Sequence, residues 1–162
     1  MDATNDVSLS QEERLDALAQ TLETEAFPEW VAESNNHIHT CYSFSPYTPT
    51  AAALGARRAG LRVVGSVDHD SIVAAPEMTA ACRLLSMGSV TGFEIRAFFD
   101  PDGPFATRKL NNPDSEGIAY MTVQGVPASS RETVAQWLAP KRAARLERSE
   151  EHTSELQSRV SI

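Results

Sequence analysis

Residues 61–71 read Leu61-Arg62-Val63-Val64-Gly65-Ser66-Val67-Asp68-His69-Asp70-Ser71. The run 61–67 is compact, apolar and rich in valine, the pattern of a buried strand. It ends on an imidazole between two carboxylates. Upstream, Thr48 is placed to cap an Ala-rich helix with Pro49 at its first position, and Gly60 closes that helix. Downstream, a helix over 76–85 is stopped by Gly88, and 90–95 forms the next strand, with Glu94 near its end. Ahead of both helices, 31–38 leads into a short strand that carries His37-Ile38-His39. Residues 31–95 therefore read strand, helix, strand, helix, strand, an α/β order with parallel strands. Polar residues at the C-terminal ends of such strands are where α/β folds place chemistry.

The flanks are less regular. Residues 1–9 are polar and expected to be loose. Ser10 and Glu13 form a capping-box pattern ahead of Leu15, Leu18 and Leu22 at helical spacing. This helix is expected to pack beside the domain, so 1–30 is read as a helical extension and 31–147 as the domain. Residues 100–117 hold three prolines and two glycines and read as a long excursion. A strand is expected over 118–123, and then a helix capped by Ser129 and Glu132 and interrupted at Pro140. Residues 148–158, RSEEHTSELQS, resemble the codon-by-codon translation of a common sequencing adaptor. On that basis 148–162 is set aside as an artefactual tail, His152 has no role, and the chain is expected to be incomplete.

Composition narrows the function classes. The chain has 162 residues, 22 acidic against 14 basic, and a formal net charge of -8. That is enough for one sizeable core. No long basic stripe exists, which disfavours nucleic acid as a partner, while a local arginine or a metal still allows a small phosphorylated substrate. Cys41 and Cys82 suggest no disulfide framework. No run is apolar enough to span a membrane and the first twenty residues lack an apolar core, so a cytoplasmic location is expected. Composition sets no oligomeric state.

Three stretches carry the chemistry. On an extended strand His37 and His39 point the same way, a natural two-imidazole grip on a divalent transition metal. The bland alternative, two histidines on an ordinary strand face, stays open for the pair alone. His69 strengthens the metal reading. Asp68 or Asp70 can accept its second ring proton and fix the tautomer, while Asp70 or Ser71 caps the following helix. Glu94 lies in an otherwise apolar strand, where a carboxylate is costly unless paired or metal-bound. Taken alone, it would more often pair with an arginine such as Arg96 on the same face.

The stretches NNHIHTCYSFSPYTP, GLRVVGSVDHDSI and GFEIR, in that order over 35–96, resemble the polymerase and histidinol phosphatase (PHP) domain family. The Ser-Pro-rich loop and the later KLNNPDSEGIAYMTVQGVP are similar to a bacterial subgroup of that family. The resemblance implies a distorted (β/α)7 barrel, here truncated after the first several strands. It implies two or three divalent metal ions (zinc, manganese or iron) and no organic cofactor. His37 and His39 match the first metal-binding motif, His69 the second, and Glu94 the third, which bridges metals. The implied activity is hydrolysis of a small phosphomonoester or phosphodiester by metal-activated water. Asp68 would orient His69, and Arg96 would contact phosphate, with Arg108 and Lys109 as weaker candidates.

Two departures from the family pattern stand out. Phe44 and Ser45 occupy the places where many members carry a further ligand. No later histidine follows His69 except His152, and Gln124 stands where a further ligand is sought. With four good ligands, the chain is expected to bind metal weakly and to have little activity. The alternative is a non-catalytic PHP-like binding or regulatory module. A proofreading or structural unit of a DNA polymerase is disfavoured by the acidic charge.

Overall fold

The computed structural model describes residues 2–159, with side chains for residues 2–147. Its elements are α1 (Gln11–Thr24), β1 (Ser34–Ile38), α2 (Pro49–Arg58), β2 (Val63–His69), α3 (Ala75–Leu84), β3 (Gly88–Phe98), β4 (Ile118–Gln124) and α4 (Arg131–Arg159). The starts of α1 and α2 follow from their caps. Ser10 N–H donates to Glu13 Oε2 at 2.7 Å while Glu13 N–H donates to Ser10 Oγ at 3.2 Å, a closed capping box. Ala51 N–H donates to Thr48 Oγ1 at 3.1 Å, with Pro49 in the first turn. Gly60, at φ +80°, ends the turn after α2, where a side chain would strike the Glu29 carbonyl.

The sheet has the order β1-β2-β3-β4. The first three strands run parallel, as the alternating sequence requires, and β4 returns antiparallel to β3. The helices pack on one face. Leu18, Leu54, Val64, Met78, Ala81 and Cys82 form the main core there, and Phe93, Val126 and Leu138 form a second cluster under α4. β4 leaves Met121 and Val123 exposed. Its outer edge is partly occupied at Tyr120, which exchanges two 2.8 Å hydrogen bonds with the Asn111 side chain.

The opposite face curls into a half-barrel, and two glycines allow the curl. A side chain at Gly65 would press on the Val90 carbonyl and sit 3.2 Å from Asn36 Cα. One at Gly92 would collide with the Val123 carbonyl and sit 2.8 Å from Val67 Cγ1. The outer strands come close enough for Gln124 Nε2 to donate to the Asn36 carbonyl at 3.1 Å. Gly92→Ala is therefore expected to destabilise by about 1–3 kcal/mol through overpacking, read from the urea midpoint. An unchanged midpoint would show that the curl is not constrained there.

α1 packs on α2 and α3, and its Leu18 is fully buried in the main core. Other expectations are corrected. β3 is longer than 90–95 and includes Gly88. Ser129 lies in a short 3-10 turn, Ala128–Ser130, ahead of α4. α4 continues through Pro140; a proline there lacks the N–H that would reach the Gln136 carbonyl, and the helix tolerates that loss. The side chains of the adaptor-like stretch 148–158, His152 included, lie outside the described residues. Among the described residues no helix is long and apolar enough to cross a membrane.

Candidate metal centre

A one-residue irregularity in β1 decides where the first two histidines go. Asn35 pairs with Val64 but Ile38 pairs with Ser66, so three steps along β1 match two along β2. In an unbroken register His37 would lie opposite Ser66, on the helix-covered face. The bulge instead gives that place to Ile38, which packs against the main core, and turns His37 and His39 to the concave face. The bulge is braced locally by His37 N–H, which donates to Asn35 Oδ1 at 3.0 Å. His69 and Glu94 are direct partners in the β2–β3 register and share one face.

These four side chains converge at the C-terminal ends of the parallel strands. Donor atoms of His37, His39 and Glu94 all lie within 4.8 Å of one another. His37 Nε2 is 3.1 Å from Glu94 Oε2, and His69 Nδ1 is 3.3 Å from Glu94 Oε1. Glu94 thus presents one oxygen to each of two histidines. The rings of His39 and His69 stack at 4.8 Å with an interplanar angle of 17°. Burial pushes the His69 imidazole below its ordinary pKa, against the opposing pull of Glu94. That favours the neutral ring, the form in which histidine ligates a metal. The donor set fits a divalent ion: two imidazoles and a carboxylate around one point, with Glu94 largely buried and no lysine or arginine paired to it among the contacts described.

The remaining predicted residues are placed differently. Asp68 is buried on the opposite face of β2 from His69. Its Oδ1 accepts from Thr40 N–H at 2.6 Å and its Oδ2 from Thr40 Oγ1 at 2.7 Å. Asp68 is thus committed to Thr40 on the face away from the His69 ring, whereas the sequence expectation has it orienting that ring; the carboxylate facing His69 Nδ1 is that of Glu94. Burial raises the Asp68 carboxyl pKa, and the Thr40 hydrogen bonds oppose the rise. Asp70 adopts φ 50° and faces Arg145 Nε at 3.6 Å. Arg96 lines a cavity of about 420 Å³ with Asp70, Phe98 and Lys141, and its guanidinium lies 5.9 Å from the Tyr120 ring centre. Arg108 and Lys109 are exposed in the loop before β4 and line neither this cavity nor the one described next. Gln124 is committed to Asn36 and is not offered to the cluster. The Phe44 and His69 rings meet in a T-shaped contact with centroids 5.3 Å apart, and Ser45 Oγ accepts from Tyr47 N–H at 3.3 Å.

Several residues at the site were not anticipated. Ser43 Oγ accepts from His69 N–H at 3.2 Å and lies 3.5 Å from His39 Nδ1. Arg145 Nη2 donates to the His69 carbonyl at 2.7 Å, and its guanidinium lies 5.4 Å from the Phe44 ring centre. Arg142 and Arg145 line a second cavity of about 280 Å³ with Cys41, Tyr42, Ser43 and Phe44. Leu138, Arg142 and Arg145 share helical spacing, and that was the available signal: a buried leucine continues into two arginines on one face.

No protein-family model and no curated protein matches the chain. Among solved structures it is similar to a candidate metal-dependent phosphoesterase from Bifidobacterium adolescentis, with 27% identity and TM-score 0.60 over 80% of this chain. It is also similar in fold to an amidohydrolase from Chromobacterium violaceum with bound sulfate and no metal, with 21% identity and TM-score 0.62 over 81% of this chain. The chain spans 40% of the length of each of those structures. The mixed α/β fold with a curled half-barrel sheet is thus shared with larger proteins.

Proposed function

We propose that this chain is the N-terminal part of a PHP-type metal-dependent phosphoesterase. One observation carries this: His37, His39 and Glu94 bring donor atoms within 4.8 Å of one another at the C-terminal ends of parallel strands, with His69 at the second oxygen of the same carboxylate. His37 and His39 would hold a divalent ion with Glu94, and Glu94 would bridge toward a second ion at His69. Such ions supply Lewis acidity and a water activated for attack on phosphorus.

The chain's own residues would do the rest. Glu94 keeps the three imidazoles in one cluster. Arg145 lies beside His69, paired with Asp70, and Arg142 in the adjoining cavity adds positive charge in an otherwise acidic protein. That suits a small anionic phosphoester better than a neutral amide. Arg96 would hold a phosphate oxygen from the cavity it lines with Asp70 and Lys141. The four donors named are few for two ions, so weak binding and slow turnover are expected from these residues alone.

The phosphoesterase similarity at 27% identity supports this assignment. One observation favours the alternative of a non-catalytic metal-binding module: Phe44, which cannot ligate, packs on His69 where a further ligand would help. Zinc and manganese titrations of the 162-residue chain, followed by assays with p-nitrophenyl phosphate and bis(p-nitrophenyl) phosphate, separate the two. Saturable binding with hydrolysis that disappears in the His37→Ala/His39→Ala variant is the expected result. Binding without hydrolysis would favour the non-catalytic module, and no binding would overturn both.

A further inference from the structure

The β1–β2 ladder stops at Ile38 and Ser66, one step before His39 and well short of His69. Beyond it, the two strand ends are joined by side-chain bonds. Thr40, the residue after His39, is fully buried, and Asp68, the residue before His69, is 1% exposed. The Asp68 carboxylate takes both Thr40 donors, the N–H at 2.6 Å and the hydroxyl at 2.7 Å. Thr40 also anchors the turn that follows: its carbonyl accepts from Ser43 N–H at 2.9 Å and from Ser45 N–H at 3.3 Å. That turn returns Ser43 to the His69 N–H. A closed circuit therefore runs from His39 through Thr40 and Asp68 to His69, and back through Ser43.

We infer that Asp68 and Thr40 are positioning residues that set the spacing of His39 and His69 across the gap where the strand ladder ends. Asp68 acts through Thr40 on the neighbouring strand, not through the ring beside it in sequence. A carboxylate is suited to this because its two oxygens accept from an amide and a hydroxyl at once, while a ladder bond would fix the backbone alone. The stacked 4.8 Å separation of the two rings is the geometry this circuit holds. The inference rests on the metal-centre proposal for its functional meaning, while the Thr40–Asp68 hydrogen bonds are described independently of it.

The test uses the full chain and three variants. Thr40→Val removes the hydroxyl donor at nearly constant volume, Thr40→Ser retains it, and Leu18→Ala lowers stability in the core away from the site. Two quantities are read: zinc affinity by competition with a chelator, and the histidine ring Hε1 and Cε1 shifts of the metal-free protein by NMR. Thr40→Val is expected to weaken zinc binding by about 10-fold or more and to move the His39 and His69 signals, as loss of outer hydrogen bonds around ligands typically does. Thr40→Ser should stay close to the parent in both, and Leu18→Ala should keep the parent ring shifts. Unmoved ring signals and unchanged affinity in Thr40→Val would overturn the positioning role, as would equal shifts in Leu18→Ala. If the parent chain takes up no zinc, the metal-centre proposal fails, and the ring shifts alone then decide the role of Asp68 and Thr40.

Discussion

Glu77→Ala lowers the free energy of unfolding by about 3–5 kcal/mol, the range for breaking a buried ion pair by removing one partner. Glu77 is 1% exposed in α3 and accepts from Arg14 Nε at 2.9 Å and Arg14 Nη2 at 2.7 Å. Its Oε1 also accepts from Thr50 Oγ1 at 2.7 Å and from Thr50 N–H at 3.3 Å. One carboxylate thus ties α1, the start of α2 and α3 together. Alanine leaves the Arg14 guanidinium buried without its counter-charge, although the carbonyl of Leu9 still accepts from it. The surface supplies a control with similar bidentate geometry. Glu25 and Arg58 meet at 2.7 Å and 2.8 Å, but Arg58 is half exposed. Breaking that pair costs about 1 kcal/mol or less, because water and salt screen it. Urea denaturation of both variants measures the contrast, and Glu77→Gln, which keeps an acceptor for Thr50, gives an intermediate loss. Equal small losses for Glu77→Ala and Glu25→Ala would show that the buried clamp does not hold the N-terminal helix.

The second large effect is on metal affinity. Glu94→Ala weakens zinc binding by about 100-fold or more, beyond the 10–100-fold that loss of a ligand's outer partner costs. Glu94 is the residue through which the two halves of the cluster meet, at His37 Nε2 on one oxygen and His69 Nδ1 on the other. Its removal takes away the only carboxylate in the described cluster and leaves a divalent ion with imidazole donors alone. Phe93 and Ile95, on either side in sequence, pack into the second core cluster on the other face of β3, so the strand is held independently of Glu94. The variant is therefore expected to keep its thermal midpoint in the absence of metal. Competitive zinc titration checks the first statement and a metal-free melt the second. A drop in affinity below tenfold would remove Glu94 from the metal centre.

The parallel α/β order of 31–95 was legible because it rests on local signals, valine-rich runs and the Thr48-Pro49 cap, and the four candidate donors stood out by residue type and spacing. What was not legible depends on partners far along the chain. The direction in which His37 and His39 point is set by a bulge against β2, and nothing in NNHIH alone marks which face it selects. The misplaced role of Asp68 has a different cause. Alternation in a strand already sends residues 68 and 69 to opposite faces, so neighbours in sequence are not neighbours in space there. Arg142 and Arg145 reach the site only because α4 passes unbroken through Pro140, where the sequence argued for an interruption.

Zinc-edge X-ray absorption of the zinc-loaded chain tests the metal centre most directly. The expected spectrum shows a first shell of nitrogen and oxygen at about 2.0–2.1 Å, with the outer-shell scattering of at least two imidazoles that is reduced in His37→Ala. An oxygen-only shell, or an imidazole signal unchanged in His37→Ala, would contradict it.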